Sequence, residues 1–281
     1  MNEVKVLDKG FCRLVDQMGD DNRIVQSARV SYGQGTKTPS EDRDLIRYLM
    51  RMEHTSPFEQ VIFVFHMKLP IFVARQIVRH RTSRLNEVSY RYSEAPEEYY
   101  IPERENIKKQ SKKNKQGGGE VMDPDAADFI INEMNKTVED CFDTYNWMLE
   151  EGISREMART CLPVSVYTEW YFQMDLRNLF GFLKLRLDEH AQYETRQYAK
   201  AIYELIKPLV PVACEAFEDY ILNANKFSAK EMEILRNYIK DLDNGWGING
   251  DNDDGTLRNE NFEKLSKRER TEFLDKLGIE K

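Results

Sequence analysis

The chain has 281 residues, of which 41% are hydrophobic, enough for one large domain or two small ones with a real core. Its formal net charge of −8 argues against a general nucleic-acid-binding surface, because such a surface needs a broad positive face. No apolar run approaches the roughly 20 residues that a membrane helix needs, and the N-terminal MNEVKVLDKG lacks the pattern of a signal peptide.

The cysteines carry information about the compartment. Cys12, Cys141, Cys161 and Cys214 are scattered along the chain without CxxC spacing. This distribution is typical of reduced, mostly buried thiols in a cytoplasmic protein, and it favours neither disulfides nor zinc ligands. We therefore expect a cytoplasmic protein.

The first third of the chain predicts one strand and two helices. Residues 4–7 alternate between apolar and charged types and predict a short strand. Asp20 or Asp21 can cap a helix that runs to about residue 32. Ser40 precedes two acids, which predicts the start of a second helix ending near residue 53.

The next elements lead into a basic stretch. Residues 61–69 are β-branched and aromatic enough for a buried strand. Pro70 suits the first position of the following helix, which is predicted to run to His80. Gln76 and His80 are four residues apart and therefore share one face of that helix.

The second half is mostly helical. Residues 108–120, KKQSKKNKQGGGE, are charged and glycine-rich and predict a mobile surface insertion. Asp123 and Pro124 then open a long amphipathic helix. The remaining patterns predict a short helix over 153–160, a strand over 164–174, and helices over 176–187 and 188–207.

The composition changes beyond about residue 223. Two capping boxes, Ser228 with Glu231 and Ser266 with Glu269, flank a glycine- and asparagine-rich link. We predict a catalytic domain over residues 1–222 and a small helical extension over 223–281. The fold class predicted for the domain is α/β (α+β), with helices packed on a small, largely antiparallel sheet.

Residues 79–93, RHRTSRLNEVSYRYS, form a basic island in an acidic chain. Guanidinium groups present planar forks of donors that suit phosphate and carboxylate oxygens. A solvated helix end with arginines at its negative pole is the ordinary alternative. The crowding favours an anion site, since the island carries Arg79, His80, Arg81, Arg84 and Arg91 with Glu87 as its one acid.

Two further groups of polar residues stand out. Arg186 and His190 share one helical face, and Arg177 points in a similar direction two and a half turns earlier. On its own, this spacing favours the polar outer face of an amphipathic helix over a functional site. His54 lies in a turn before a strand, where a histidine is usually structural or solvated.

Metal and nucleophile chemistry find little support in the sequence. The four histidines match no familiar ligand spacing, so we expect no metal site. Ser89 could act as a nucleophile only with a positioned base, and His80 has no visible third group to orient it. Ser89 is better interpreted as a hydrogen-bond donor to a ligand.

Arg79-His80-Arg81 followed after seven residues by Ser89 is the pattern RHRx7S, and it resembles the motif of the flavin-dependent thymidylate synthases. The resemblance covers roughly residues 1–222. Other segments similar to the family occur in the same order, namely ARVSYG at 28–33, HTSPFEQ at 54–60, PIFVARQ at 70–76, NEVSYRYS at 86–93, REMARTCLP at 155–163 and LRLDEHAQYE at 185–194.

The resemblance implies an enzyme that makes dTMP from dUMP. Methylenetetrahydrofolate would supply the carbon, FAD would carry the hydride, and NADPH would reduce the FAD. It also implies a homotetramer whose active sites lie between subunits. The family does not use a cysteine nucleophile, which agrees with our interpretation of the cysteines.

The resemblance also implies roles for individual residues. Arg186 would polarise the uracil, and His54 would lie beside the flavin. The positions implied to bind dUMP are Gln76, Arg79, Glu87, Ser89, Arg91, Arg159 and Arg186. Those implied to hold FAD are Ser31, Ser56, Glu59, Arg79, His80, Arg81, Arg177 and His190. Arg186, His54 and Ser89 are the catalytic candidates.

Some positions depart from the family, and other functions compete. Asp175 and Gly181 stand where some members carry asparagines near the adenosine half of FAD, and Asp175 would meet ribose or adenine. A non-catalytic nucleotide- or RNA-binding module, or a flavin-free nucleotide hydrolase, would explain the basic island equally well. Neither explains the arginines at 159, 177 and 186. A helical scaffold would bind no ligand at all.

Overall fold

The computed structural model of the protein describes residues 2–30, 33, 38–112, 115, 117–230, 232 and 235. The chain divides into two units, Met1–Asn223 and Ala224–Lys281. In the first unit, helices pack on a small antiparallel sheet, so the predicted fold class is confirmed. Glu231 and the box at Ser266 and Glu269 lie outside the described residues.

A five-stranded sheet forms the centre of the first unit, and all its neighbouring strands are antiparallel. Across the sheet the strands are β1 (Glu3–Val6), β2 (Gly10–Met18), β3 (Ile62–Pro70), β7 (Tyr167–Asp175) and β4 (Arg84–Glu87). β3 pairs with β7 along its full length, from Ile62 opposite Asp175 to Pro70 opposite Tyr167.

The two central strands alternate between core and solvent. Because successive side chains of a strand point to opposite faces, Phe63, Phe65 and Met67 all enter the core while His66 lies on the other face. Trp170 and Phe172 do the same on β7. One face of the sheet therefore carries the helices, as antiparallel sheets allow.

Eight α-helices are present among the described residues, joined in places by short 3-10 turns. Their bounds are α1 Asp21–Ala28, α2 Pro39–Arg51, α3 Ile71–Ile77, α4 Pro124–Glu150, α5 Arg155–Ala158, α6 Leu176–Arg186, α7 Tyr193–Ile206 and α8 Pro211–Phe217. No helix in this part of the chain has both the length and the apolar character that a bilayer crossing demands.

Several helix ends differ from the predicted ones. Asp20 caps α1 as expected, accepting from the backbone N–H of Asn22 at 2.9 Å, but the helix ends at residue 28. Thr38, not Ser40, caps α2, because Thr38 and Glu41 form a reciprocal capping box. Pro70 ends β3 instead of occupying the first position of α3.

Three strands within the loops were not predicted. β4 lies inside the basic island, and its four side chains are all exposed, so it lacks an alternating pattern. The predicted insertion contains a hairpin, β5 (Lys108–Gln110) and β6 (Gly118–Val121), which its charged, glycine-rich sequence did not indicate.

The connections of β3 and β7 place the candidate site. These strands run in opposite directions, so α3 and α6, which follow them, begin at opposite ends of the sheet. α6 has 11 residues and is therefore about 16 Å long. It returns toward the end of α3, where Arg186 meets residues 76 and 80.

Candidate active site

Arg186 connects the basic island to the second group of polar residues. Its Nε donates to Nε2 of His80 at 3.1 Å, and its Nη2 donates to the backbone oxygen of Gln76 at 3.1 Å. The chain turns directly after α3, where the His80 N–H bonds to the carbonyl of Ile77. Two groups that were identified separately in the sequence thus meet in one place.

The electrostatics of this pair follow from partial burial. Because Arg186 always donates, Nε2 of His80 is the acceptor, so the ring is neutral and carries its proton on Nδ1. Burial, and secondarily the charge of Arg186, lower the pKa of His80. Burial also lowers the pKa of Arg186. The edge of the Phe182 ring lies against the imidazole, with 4.9 Å between centroids.

The side chain of Gln76 is held by the start of α7. Oγ1 of Thr195 donates to Gln76 Oε1 at 3.1 Å, and Gln76 Nε2 donates to Oε1 of Gln192. Thr195 is fully buried, so the orientation of the Gln76 amide is fixed from the protein interior. Neither Thr195 nor Gln192 was among the residues predicted from the sequence. Gln192 lies within the family-like segment LRLDEHAQYE, the one signal that points to it.

Arg91 is tied to α5 by a two-pronged ion pair. Its Nη2 and Nε donate to Oε2 of Glu156 at 2.8 and 3.1 Å. Arg155 pairs in parallel with Glu94 at 2.9 Å. The loop after Ser89 is therefore fastened to the helix that leads directly into Arg159.

Ser89 and Glu87 have local partners. Oγ of Ser89 accepts from the backbone N–H of Arg91 at 3.4 Å, which stabilises the turn. Oε1 of Glu87 accepts from Oγ1 of Thr168 at 2.7 Å. Thr168 is 1% exposed, so this buried hydroxyl holds the Glu87 carboxylate, at the end of β4, from the core side of the sheet.

Four arginines around the island keep their charge uncompensated. Among the residues that the structure describes, their side chains make no hydrogen bond and no ion pair. Elsewhere in this acidic chain arginines such as Arg13 pair with carboxylates. Free guanidinium groups at one location are typical of an anion-binding site. The four are Arg79, Arg81, Arg84 and Arg159.

His54 follows a strained helix end. The N–H groups of Glu53 and His54 bond back to the carbonyls of Met50 and Leu49 at 3.2 and 2.9 Å, which closes α2. Glu53 adopts the left-handed conformation with a φ of 57°, which glycine usually occupies. The exposed His54 ring contacts Tyr48 edge-on at 5.8 Å.

Ser56, Glu59 and Arg177 lie at one end of the sheet. Ser56 and Glu59 belong to the 3-10 turn Ser56–Gln60, which precedes β3. The N–H of Leu176 bonds to the carbonyl of Val61 at 2.8 Å, so the start of α6 joins the end of this turn. Helix geometry separates the Cα atoms of Arg177 and Arg186 by about 13 Å.

Four other positions named from the sequence remain. His190 is exposed in the loop after α6, and its Nδ1 contacts Asp188 at 2.9 Å. Asp175 caps α6 and accepts two bonds from Asn178, so its carboxylate serves the helix. Gly181 is exposed, and a Cβ there would meet nothing within 4 Å. Ser31 lies outside the described residues.

The arrangement suits an extended anionic ligand that lies beside half-buried polar side chains. Arg186 and Gln76 supply fixed donors and acceptors at one end of α6, and Arg177 supplies a positive charge at the other. Prearranged donors of this kind stabilise negative charge that develops during a reaction.

Comparisons with known proteins give the family. Residues 13–212 match the profile of the family described as "Thymidylate synthase complementing protein". A flavin-dependent thymidylate synthase of Treponema denticola is 55% identical over 244 residues, which cover 86% of this chain and 92% of the relative. One from Dictyostelium discoideum is 52% identical, with 83% and 80% covered.

The fold comparison agrees. The crystal structure of the UMP/dUMP methylase PolB from Streptomyces cacaoi bound with 5-Br dUMP matches with a TM-score of 0.71 and 32% identity. The match covers 78% of this chain and 99% of that one. The site residues, the family profile and these relatives together lead to one conclusion: the chain belongs to the flavin-dependent thymidylate synthase family.

Proposed function

We propose that this protein methylates dUMP to dTMP, with methylenetetrahydrofolate as carbon donor, FAD as hydride carrier and NADPH as reductant. The observation that carries the proposal is the contact of Arg186 with His80 and Gln76, because it joins the RHRx7S segment to a second family-like segment. The names of the relatives supply the reaction, and the bound ligand of PolB supports the substrate.

The dUMP site is proposed to lie along the loop that follows β4. Arg79, Arg91 and Arg159 would neutralise the phosphate, since two of them are unpaired and the third faces one exposed carboxylate. Glu87 and Ser89 would bind through their polar oxygens. The amide of Gln76, fixed from α7, would read the pyrimidine edge.

Arg186 is proposed to polarise the uracil ring. Its guanidinium is half-buried and oriented by two hydrogen bonds, so it needs little rearrangement when charge develops on the ring oxygen. In a partly desolvated place, its attraction to that charge is stronger than it would be in water. His80, neutral in this arrangement, positions Arg186 instead of competing as a second cation.

The residues present fit FAD. FAD is elongated and carries a diphosphate, and the exposed arginines 79, 81 and 177 supply positive charge for it, with Arg177 about 13 Å from Arg186 along α6. Ser56 and Glu59 offer polar oxygens at the same end of the sheet as Arg177. His190, in the loop after α6, is a further proposed FAD residue. Ser31 is proposed from the sequence resemblance alone. When bound, FAD would supply the hydride chemistry, while the protein binds and orients the reactants. His54 would lie beside the flavin.

A homotetramer with active sites between subunits is proposed as the working form. In a single chain, Arg79, Arg81 and Arg177 lie exposed on the surface, where a second subunit could complete a pocket around them. The exposed apolar side chains of Val78, directly after α3, and Leu185, on α6, lie beside the site and offer contacts for such a subunit. The four cysteines are free thiols, which supports placement in the reducing cytoplasm.

The experiment begins with an absorbance spectrum of the purified protein. We expect a bound flavin, NADPH oxidation that accelerates when dUMP is added, and dTMP as the product when methylenetetrahydrofolate is present. Light scattering should give the mass of four chains. A colourless protein that takes up no added FAD would refute the proposed chemistry, and a binding module or a hydrolase would form no dTMP.

A further inference from the structure

None of the residues proposed to bind dUMP or FAD belongs to the lysine-rich hairpin β5–β6. Five lysines occur within KKQSKKNK, at 108–115, in a chain whose net charge is −8. The hairpin is held in a defined form, because Lys108 pairs with Val121 and Gln110 with Gly118. The Gln110 side chain also closes the turn through the carbonyl of Lys115 at 3.0 Å.

The hairpin forms one wall of a cleft of about 670 Å³. This volume lies in the range of about 300–1,000 Å³ that small-molecule sites occupy. The opposite wall is the segment that joins α6 to α7. The hairpin contributes residues 108–111, 117 and 118, and the opposite wall contributes residues 189–194 and 196.

The charges that line the cleft favour anions. Lys108, Lys109 and Arg196 contribute positive charge. Glu194 is 8% exposed and its carboxylate accepts from the hydroxyl of Tyr100 at 3.0 Å, so it is directed away from the opening. Glu189 is an exposed acid on the rim.

The ion pairs at the cleft leave its lysines available. Lys109 is 3.7 Å from Glu120, but both side chains are mostly exposed, so this pair is weak and exchangeable. The side chain of Lys108 makes no hydrogen bond or ion pair with any residue that the structure describes. Two flexible ammonium groups are therefore free to meet a ligand.

The cleft opens onto the proposed dUMP and FAD residues. Gln192, which lines the cleft, accepts a hydrogen bond from the side chain of Gln76. His190, assigned to FAD, lines the same cleft. A molecule that reacts in the proposed dUMP and FAD site could therefore extend a tail along this cleft.

We propose that the hairpin binds the anionic tail of a co-substrate whose reacting end lies in the proposed dUMP and FAD site. The inference rests on the proposed function. Lysines are compact charges on flexible stems, so they suit several anionic groups spread along a chain. Such groups are the glutamyl carboxylates of a polyglutamylated folate or the ribose phosphate of NADPH, and the experiment separates these two sources.

The test compares the wild-type protein with the double variant Lys108→Gln/Lys109→Gln. A matched control, Lys136→Gln/Lys230→Gln, removes two exposed lysines elsewhere and should behave as wild type. Each enzyme is assayed for dTMP formation with mono- and triglutamyl methylenetetrahydrofolate, and with NADPH and NADH. Equilibrium dialysis of the two folates at low and high salt gives a readout that does not depend on turnover.

We expect the hairpin variant to raise KM for one tailed co-substrate by about threefold to tenfold, with kcat and the KM for dUMP unchanged. An effect confined to triglutamyl folate assigns the carboxylate tail, and one confined to NADPH assigns the phosphate. If dTMP forms normally and neither preference changes, the inference is overturned while the proposed function stands. If the wild type forms no dTMP, the proposed function fails first.

Discussion

Nε of Arg186 and Nε2 of His80 lie 3.1 Å apart, although 106 residues separate them along the chain. The contact orients the guanidinium and fixes the imidazole in its neutral form at once. Neither residue could be replaced without changing the other, so the pair is the natural centre for experiments on this protein.

The first prediction concerns Arg186→Ala. We expect turnover of dUMP to fall by about 10²–10³-fold, the usual cost of removing a donor aimed at developing charge. Affinity for FAD should change far less. Product analysis and a flavin titration measure the two quantities, with Arg43→Ala, a surface arginine on α2, as the control. Unchanged dTMP formation would remove the assigned role.

The second prediction is a pH dependence of stability. The folded-state pKa of His80 lies below its ordinary value of 6.5, so the unfolded chain binds the proton more readily. The neutral ring favours folding fully above that ordinary value, and this stability is lost as pH falls toward the folded pKa. Urea unfolding from about pH 8 to about pH 5 should show a steeper loss for wild type than for His80→Asn.

The third prediction concerns the shape of the cation at position 91. Arg91→Lys keeps the charge but loses the planar fork, so we expect dUMP to bind about tenfold more weakly. Arg155→Lys is a matched control, because Arg155 forms the parallel ion pair with Glu94. Titration calorimetry with dUMP measures both variants. Equal affinity for the wild type and Arg91→Lys would contradict the assignment of Arg91 to the nucleotide.

The fourth prediction addresses the strained end of α2. Glu53→Gly should raise the free energy of unfolding by about 1 kcal/mol, because the left-handed conformation costs a side chain that much. Met52→Gly, one residue earlier with a φ of −87°, should instead lower it by about 0.5–1 kcal/mol. Urea denaturation distinguishes them. A loss of stability in Glu53→Gly would mean that the carboxylate of Glu53 matters more than its backbone.

The fifth prediction concerns the base of the loop that carries Arg91. The hydroxyl of Tyr145, which is buried, accepts from the N–H of Ala95 at 2.9 Å. Tyr145→Phe leaves this donor unsatisfied and should cost about 1–3 kcal/mol. Tyr171→Phe, at a half-exposed position on β7, serves as the control and should change stability little. Thermal and urea unfolding report the difference.

Sequence reasoning succeeded where local chemistry determined the structure. The β-branched run at 61–69 corresponds to β3, and Asp123 with Pro124 opens α4 as expected. It failed at β4, because a strand with four exposed residues has no alternation to recognise. It also placed the α2 cap at Ser40, although Thr38 followed three residues later by Glu41 is a capping-box pattern that the sequence offers, with Pro39 at the first helical position.

For the candidate site, too, local motifs were predictable and long-range contacts were not. The RHRx7S motif and the resemblance to the family predicted the candidate binding residues. The residues that orient their side chains lie far away in the chain. Thr195 and Gln192 hold Gln76 across more than 110 residues, and no spacing rule links such distant positions. Glu156 was likewise missed because an exposed glutamate on a short helix is unremarkable in an acidic sequence.

β4 forms the margin of the sheet and contributes no buried side chain. Exposed residues on and beside β4 can therefore be substituted without weakening the buried core. A substitution there can abolish activity and leave the stability of the fold unchanged. In a library of random substitutions, inactive clones with wild-type expression levels and melting curves should concentrate at the exposed positions 79, 81, 87 and 91. Clones that are lost to degradation should map instead to β3 and β7.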